Sequence, residues 1–154
     1  MTVESAGLVL YRVRDGKTEV LLVHPGGPFW KRRDEGAWSI PKGEMGPGES
    51  RLDVARREFQ EELGVPLPEG EVLPLGSVRQ AGGKVVHAWA APGDLDVSRV
   101  SSSTFAIEWP PRSGRTQEFP EVDKAAWFDL DAARRMILAA QGAFLDRLEA
   151  QLSS

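Results

Sequence analysis

Glu58, Glu61 and Glu62 make the densest knot of potential chemistry in the chain. On a helix turning about 100° per residue they share an arc roughly 100° wide, while Leu52, Ala55, Phe59 and Leu63 form a separate, adjacent apolar stripe. The carboxylates therefore border a buried face. Like charges at i and i+4 cost about 0.2–0.5 kcal/mol on a bare helix, and the helix dipole disfavours anions in its last turns. A hard divalent cation, Mg²⁺ or Mn²⁺, reverses that sign, because it takes carboxylate and carbonyl oxygens grouped in this way. The alternative is a solvated acidic face neutralised by Arg56 and Arg57.

Immediately upstream runs Pro41-Lys42-Gly43-Glu44-Met45-Gly46-Pro47-Gly48-Glu49-Ser50. Its glycines permit backbone conformations and close approaches that side chains forbid, so a carbonyl there can turn toward the same cation. Lys42 offers a positive charge to phosphate oxygens, and Glu49 lies near a helix N-terminus, where an anion is favoured.

Gly43, five residues, Glu49, seven residues and then Arg57-Glu58-Phe59-Gln60-Glu61-Glu62-Leu63-Gly64-Val65 resembles the Nudix box, G-x5-E-x7-R-E-U-x-E-E-x-G-U, with U a bulky apolar residue. Every fixed letter is matched; Phe59 stands where an aliphatic residue is usual, which touches packing and not chemistry. The resemblance implies an α/β (α+β) fold, a Nudix-like α/β/α sandwich with a mixed central β-sheet. It also implies hydrolysis of a nucleoside diphosphate linked to another group, with water attacking phosphorus and Mg²⁺ (or Mn²⁺) neutralising the oxygens. On this chain the implied metal ligands are Glu58, Glu61, Glu62 and the Gly43 carbonyl. Arg57 is the implied orienting residue and Glu49 a supporting carboxylate. The implied general base is Glu61 or Glu62 within the box, or Glu118 or Glu121 outside it; of the outside pair Glu121 is preferred. The implied substrate is a dinucleoside polyphosphate or a nucleoside triphosphate, with nucleotide sugars and capped RNA ends as further options. A Nudix-fold sensor that binds a nucleotide without cleaving it is the competing expectation, and the complete set of glutamates favours catalysis.

Substrate recognition must come from outside the box. Trp30-Lys31-Arg32-Arg33 places an aromatic ring beside cations, which suits stacking on a base by Trp30 with Arg32 or Lys42 on phosphate; Trp30 can equally plug the core. Trp38 starts an extended piece and reads as core. Arg112 and Arg115 read as solvated turn charges. His24 and His87 fall in strand segments, and two histidines are too few for a His-based zinc site. No serine has a nucleophile-elbow context.

These groups need a scaffold. Ser5 to Val13 and Thr18 to His24 are apolar runs flanking Arg14-Asp15-Gly16-Lys17, a hairpin signal. Pro25 to Gly48 is dense in Gly and Pro and reads as loop, with one extended piece from Ala37 to Ile40. Ser50 opens a helix that Gly64 ends. Val72 to Gln80 and Lys84 to Ala91 form a second predicted strand pair, Ser103 to Trp109 and Ala125 to Phe128 are further strand candidates, and the chain from Gln117 to Val122 reads as loop. Asp131 is expected to cap one terminal helix carrying Ile137, Ala140, Phe144, Leu148 and Leu152.

The 154 residues suit one domain, 1–154, with a core of its own. Absence of cysteine excludes disulfides, thiolate nucleophiles and Cys-based metal sites. With 19 Lys+Arg against 23 Asp+Glu, the net charge of −4 argues against stable nucleic-acid binding. No apolar run approaches the ~20 residues of a membrane span, and Glu4 stands where a signal peptide wants positive charge. The expectation is a cytoplasmic protein with a small nucleotide substrate and no membrane partner, acting as a monomer or homodimer.

Overall fold

The computed structural model describes residues 3–67 and 70–153. Strands β1 (Glu4–Arg14) and β2 (Lys17–Pro25) form the expected hairpin. Asp15 and Gly16 at its tip have φ of 53° and 76°, the left-handed pair that a two-residue loop between twisted strands requires. Strands β4 (Leu73–Arg79) and β5 (Val85–Pro92) form the second expected pair. β5 adds parallel to β1, and β8 (Val122–Asp129) adds antiparallel to β2, giving the path β4-β5-β1-β2-β8. A short β3 (Lys42–Glu44) also pairs with β1, so among the described residues the mixed central sheet has six strands.

Helices cover both faces. Leu8, Leu10 and Leu21 pack with Val54, Ala55, Phe59 and Leu63 of α1 (Arg51–Leu63). The alternate residues Val9, Val20 and Leu22 pack on the other side with Ala133 of α2 (Leu130–Met136) and Phe144, Leu145 and Leu148 of α3 (Gly142–Leu152). This period-two alternation, apolar on both faces, is why β1 and β2 read as continuous apolar runs. The result is an α/β/α sandwich, as expected.

Helix α1 begins and ends on residues chosen for those positions. The Ser50 hydroxyl accepts the Asp53 N–H at 3.2 Å, and Gly64, at φ 68°, donates its N–H to the Gln60 carbonyl at 2.8 Å. Phe59 is fully buried, so the aromatic ring at that box position fills core volume.

Three expectations are corrected. Lys42–Glu44 is a strand and not loop: Gly7 of β1 lies opposite Lys42, and the Pro41 carbonyl packs where a side chain on Gly7 would stand. Thr116–Pro120 is also a strand, β7, which pairs with β6 (Thr104–Glu108) as a separate two-stranded sheet. Its residues are almost all exposed, so no burial pattern marks it in the sequence. Finally, Asp129 and not Asp131 caps the terminal helix, accepting the Ala132 N–H at 2.8 Å, and that helix is broken in two. Ile137 is extended (φ −76°, ψ 150°) and bridges Trp38. The break lets Trp38 donate to the Met136 carbonyl at 2.9 Å and accept from the Leu138 N–H at 2.8 Å. Both backbone groups of a buried tryptophan are thereby satisfied. Among the described residues no helix is long and apolar enough to cross a membrane.

Gly64 tests the end of α1. A Cβ there would run into the Ser101 carbonyl oxygen, in a backbone conformation L side chains rarely adopt. Gly64→Ala is expected to cost about 1–3 kcal/mol, read as a lower urea midpoint with an unchanged m-value; an unaltered midpoint would contradict this account of the helix terminus.

Candidate active site

Pairing of β3 with β1 lays the backbone of Lys42 and Gly43 against the side of α1, and the buried Phe59 fixes which side that is. Gly43 approaches so closely that any side chain on it would occupy the space of the Glu58 carboxyl group. This is the close approach its glycine permits.

Arg57 is the hub of the acidic knot. Its Nε and Nη2 donate to the two Glu49 oxygens at 3.1 and 3.0 Å, a bidentate pair, while Nη1 donates to Glu58 at 3.0 Å and Glu61 at 3.3 Å. Glu49 also accepts the Gly46 N–H at 2.9 Å. That amide bond, and then the guanidinium, hold the Glu49 carboxyl below the usual glutamate range. Burial pushes Glu58 upward, reinforced by the negative charge of Glu61 and opposed by Arg57.

Glu62 turns the other way and accepts the Lys42 backbone N–H at 3.0 Å. Burial pushes its carboxyl up to about 8, against the pull of that amide and of the Lys42 ammonium. Burial likewise lowers the Lys42 ammonium, with Glu62 opposing. Glu62 and Lys42 line a cavity of about 360 Å³ with Glu121, Trp30 and Gln80, walled on the apolar side by Val23, Ile40 and Leu138. Glu121 is near enough to raise both Glu58 and Glu62 through its charge.

The structure thus gathers two sets of expected residues. Glu49, Arg57, Glu58 and Glu61 form one ion-pair network, and Lys42, Glu62, Glu121 and Trp30 share the cavity. Arg32 lies in the adjoining cavity, Glu118 is exposed on β7 opposite Ala106, and Arg112 and Arg115 are exposed. Trp38 is core. His24 is buried, with its ring nitrogens 2.9 Å from Asp123 Oδ1 and 2.5 Å from the Arg33 carbonyl, and His87 pairs with Glu4.

Among the described residues, no three acidic or histidine side chains converge tightly enough to hold a cation as they stand. The chemistry of the donors nonetheless suits one. All are oxygen atoms, as Mg²⁺ and Mn²⁺ prefer. Glu58 and Glu61 already meet on a single cationic nitrogen, and Glu58 and Glu62 are half-buried carboxyl groups whose ionised forms want positive charge.

Residue type and spacing alone do not mark Gln80 or Gln141 as part of the site. The Gln141 side chain is fully buried, and its Oε1 accepts the Ile40 N–H at 3.0 Å. Its Nε2 is therefore fixed as a donor, at 2.8 Å to Gln80 Oε1 and 3.1 Å to Ser39 Oγ. A glutamine interrupting the terminal apolar run was the available signal.

Comparison with known proteins follows the same lines. A family model described as NUDIX domain matches residues 2–148. Over 82 residues the chain is 38% identical to an RNA pyrophosphohydrolase of Legionella pneumophila, covering 52% of this chain and 42% of that protein. Over 65 residues it is 40% identical to the asymmetrical bis(5'-nucleosyl)-tetraphosphatase of Caenorhabditis elegans, covering 42% of this chain and 43% of that one. The matched segment therefore spans less than half the length of these curated relatives. The C. elegans Ap4A hydrolase, in a binary complex, superposes with a TM-score of 0.69 at 26% identity, over 99% of this chain and 98% of that one. The NUDIX domain of Shewanella oneidensis NrtR, complexed with ADP ribose, superposes at 0.66 over 99% and 89% of the two chains; at 21% identity this speaks to fold alone.

Glu62 gives the cluster a pH signature. Its folded carboxyl, raised to about 8, binds its proton more tightly than in the unfolded chain, where the ordinary value is 4.5. Its contribution to stability is full below pH 4.5 and is lost as pH rises to about 8. In chelator-containing buffer the melting midpoint should fall more steeply from acid to alkaline pH in the wild type than in Glu62→Gln. Parallel profiles would show that the carboxylate is not desolvated.

Proposed function

Because the chain belongs to the NUDIX domain family, whose model covers residues 2–148, we propose that it is a metal-dependent pyrophosphohydrolase cleaving a nucleoside diphosphate linked to another group, with dinucleoside polyphosphates and nucleoside triphosphates as first substrates. The observation that supports this best is the placement of the box glutamates: Glu58 and Glu61 on Arg57, and Glu62 at the cavity it shares with Lys42 and Glu121. The names of the relatives, an RNA pyrophosphohydrolase and a bis(5'-nucleosyl)-tetraphosphatase, point to the same reaction class.

Glu58, Glu61, Glu62 and the Gly43 carbonyl would hold Mg²⁺ or Mn²⁺. When bound, such an ion neutralises the pyrophosphate oxygens and eases deprotonation of the attacking water. Arg57 keeps Glu58 and Glu61 side by side and is itself held by Glu49, so the two carboxylates need little reorganisation when charge develops. Lys42 presents its ammonium to a bridging phosphate from the cavity wall. Glu121, exposed at the end of β7, is the proton acceptor for the water, with Glu61 or Glu62 as the alternative inside the box. Trp30 stacks on the base. Arg32 lies too far round the loop to share this cavity and acts, if at all, from the next one. A cytoplasmic location fits a nucleotide substrate and a chain that needs no oxidising compartment for disulfides.

A Nudix-fold module that binds a nucleotide without cleaving it is the competing reading. Product analysis in ¹⁸O-water, across dinucleoside polyphosphates and triphosphates with Mg²⁺, separates the two. Labelled mononucleotide products are expected, whereas tight binding with no product would make the chain a binding module. Glu61→Gln and Glu62→Gln should each lower kcat/KM by at least about 100-fold with the fold retained. Unchanged turnover in both would remove them from the mechanism.

A further inference from the structure

A second cavity, of about 700 Å³, adjoins the first across the loop that carries Trp30. The loop and strand residues that bound them alternate: Trp30 and Glu121 line the first, and their chain neighbours Lys31 and Pro120 line the second. Consecutive Cα atoms are about 3.8 Å apart, so one ridge a residue wide separates the two cavities. That ridge is pinned from beneath, because the buried His24 contacts both the Arg33 carbonyl and Asp123.

The lining of the second cavity is costly in the free protein. Phe29 is 67% exposed and meets Trp109 edge-to-face, with ring centroids 5.6 Å apart. Beside them Lys31 and Arg32 are exposed, and among the described residues neither is paired with a carboxylate. Arg33, the next residue, lies over the Trp30 ring at 5.6 Å. A chain of net charge −4 has thus gathered consecutive cations, one exposed phenyl ring and a half-buried indole at one rim. The acidic residue there, Asp123, is engaged by His24. Rings that take a base on a face or edge, next to cations that take phosphate, are the chemistry of a nucleotide-binding surface. The volume is that of a small-molecule site.

We propose that this second cavity seats the second nucleotide unit of the substrate, its base against Phe29 and Trp109 and its phosphate on Lys31 and Arg32, while the first unit is held at Trp30 and Lys42. The proposal rests on the reading of the first cavity as the hydrolytic site. It makes the chain selective for substrates with a base at each end of the phosphate bridge, or a base beyond the first nucleotide, over mononucleotides. The second unit can come from a dinucleoside polyphosphate or from the second residue of a 5'-triphosphorylated RNA, which share a base next to a phosphate.

Steady-state kinetics of Phe29→Ala and Trp109→Ala on diadenosine tetraphosphate, a 5'-triphosphorylated dinucleotide and ATP, all with Mg²⁺, test it. At least about a tenfold rise in KM is expected on one or both two-base substrates, the value of one stacked base. On ATP the expected change is under about twofold, since the first cavity is untouched. A loss confined to diadenosine tetraphosphate assigns the second unit to dinucleoside polyphosphates, and one confined to the triphosphorylated dinucleotide assigns it to RNA ends. Equal losses on all three substrates, or none on any, would overturn the proposal. If the wild type turns over none of them, the hydrolytic reading falls, and calorimetric binding of diadenosine tetraphosphate against ATP decides the second cavity alone. Selective weakening of the two-base ligand in Phe29→Ala supports it, and equal affinities for wild type and variant refute it.

Discussion

Carboxylates placed along the border of a buried helical stripe need positive charge from somewhere, and the neighbourhood of α1 is arranged around meeting that need. Phe59 is fixed in the core, so Glu58 and Glu62, together on the arc beside it, stay half-buried. Arg57 meets part of the need through Glu58 and Glu61, and Lys42 meets another part through its amide and ammonium. Neither meets it in full, since both half-buried glutamates remain raised above the ordinary carboxylate range. Carboxyl groups left under-compensated in this way are ones whose ionisation a divalent ion favours.

The sheet serves this arrangement by bringing together segments far apart in the chain. β3 sets Gly43 against Glu58, and the junction of β7 with β8 sets Glu121 across the cavity from Glu62. The strand that holds β3, β1, is buried without interruption from Ser5 to Leu10 and pairs with three others, β2, β3 and β5, so Gly43 is tied to a well-buried strand. The loop between β2 and β3 is held by one buried histidine and by Trp38, whose backbone bonds split the terminal helix. Rigid floor and loop-borne rim are a common division of labour between a scaffold and a binding surface.

Much of this was legible beforehand where local chemistry decides structure. The Asp15-Gly16 turn, the Ser50 and Gly64 ends of α1, the β4–β5 pair and the core role of Trp38 each follow from residue type and spacing. What could not be read depended on contacts far away in the chain. β3 exists because Gly7 leaves room for it, and the terminal helix breaks because Trp38, about a hundred residues earlier, needs backbone partners. β7 carries no burial pattern at all. In the site, the family spacing located the glutamates but not their division between Arg57 and Lys42, which is a matter of rotamers. Gln80 and Gln141 act through a hydrogen-bond chain that no sequence period encodes.

The most direct test of the central claim is electron paramagnetic resonance of Mn²⁺ titrated into the protein, with and without a non-hydrolysable dinucleoside polyphosphate analogue. The account predicts bound Mn²⁺ that disappears in Glu58→Gln while the variant stays folded. Free Mn²⁺ under both conditions, or binding that the substitution leaves unchanged, would contradict it.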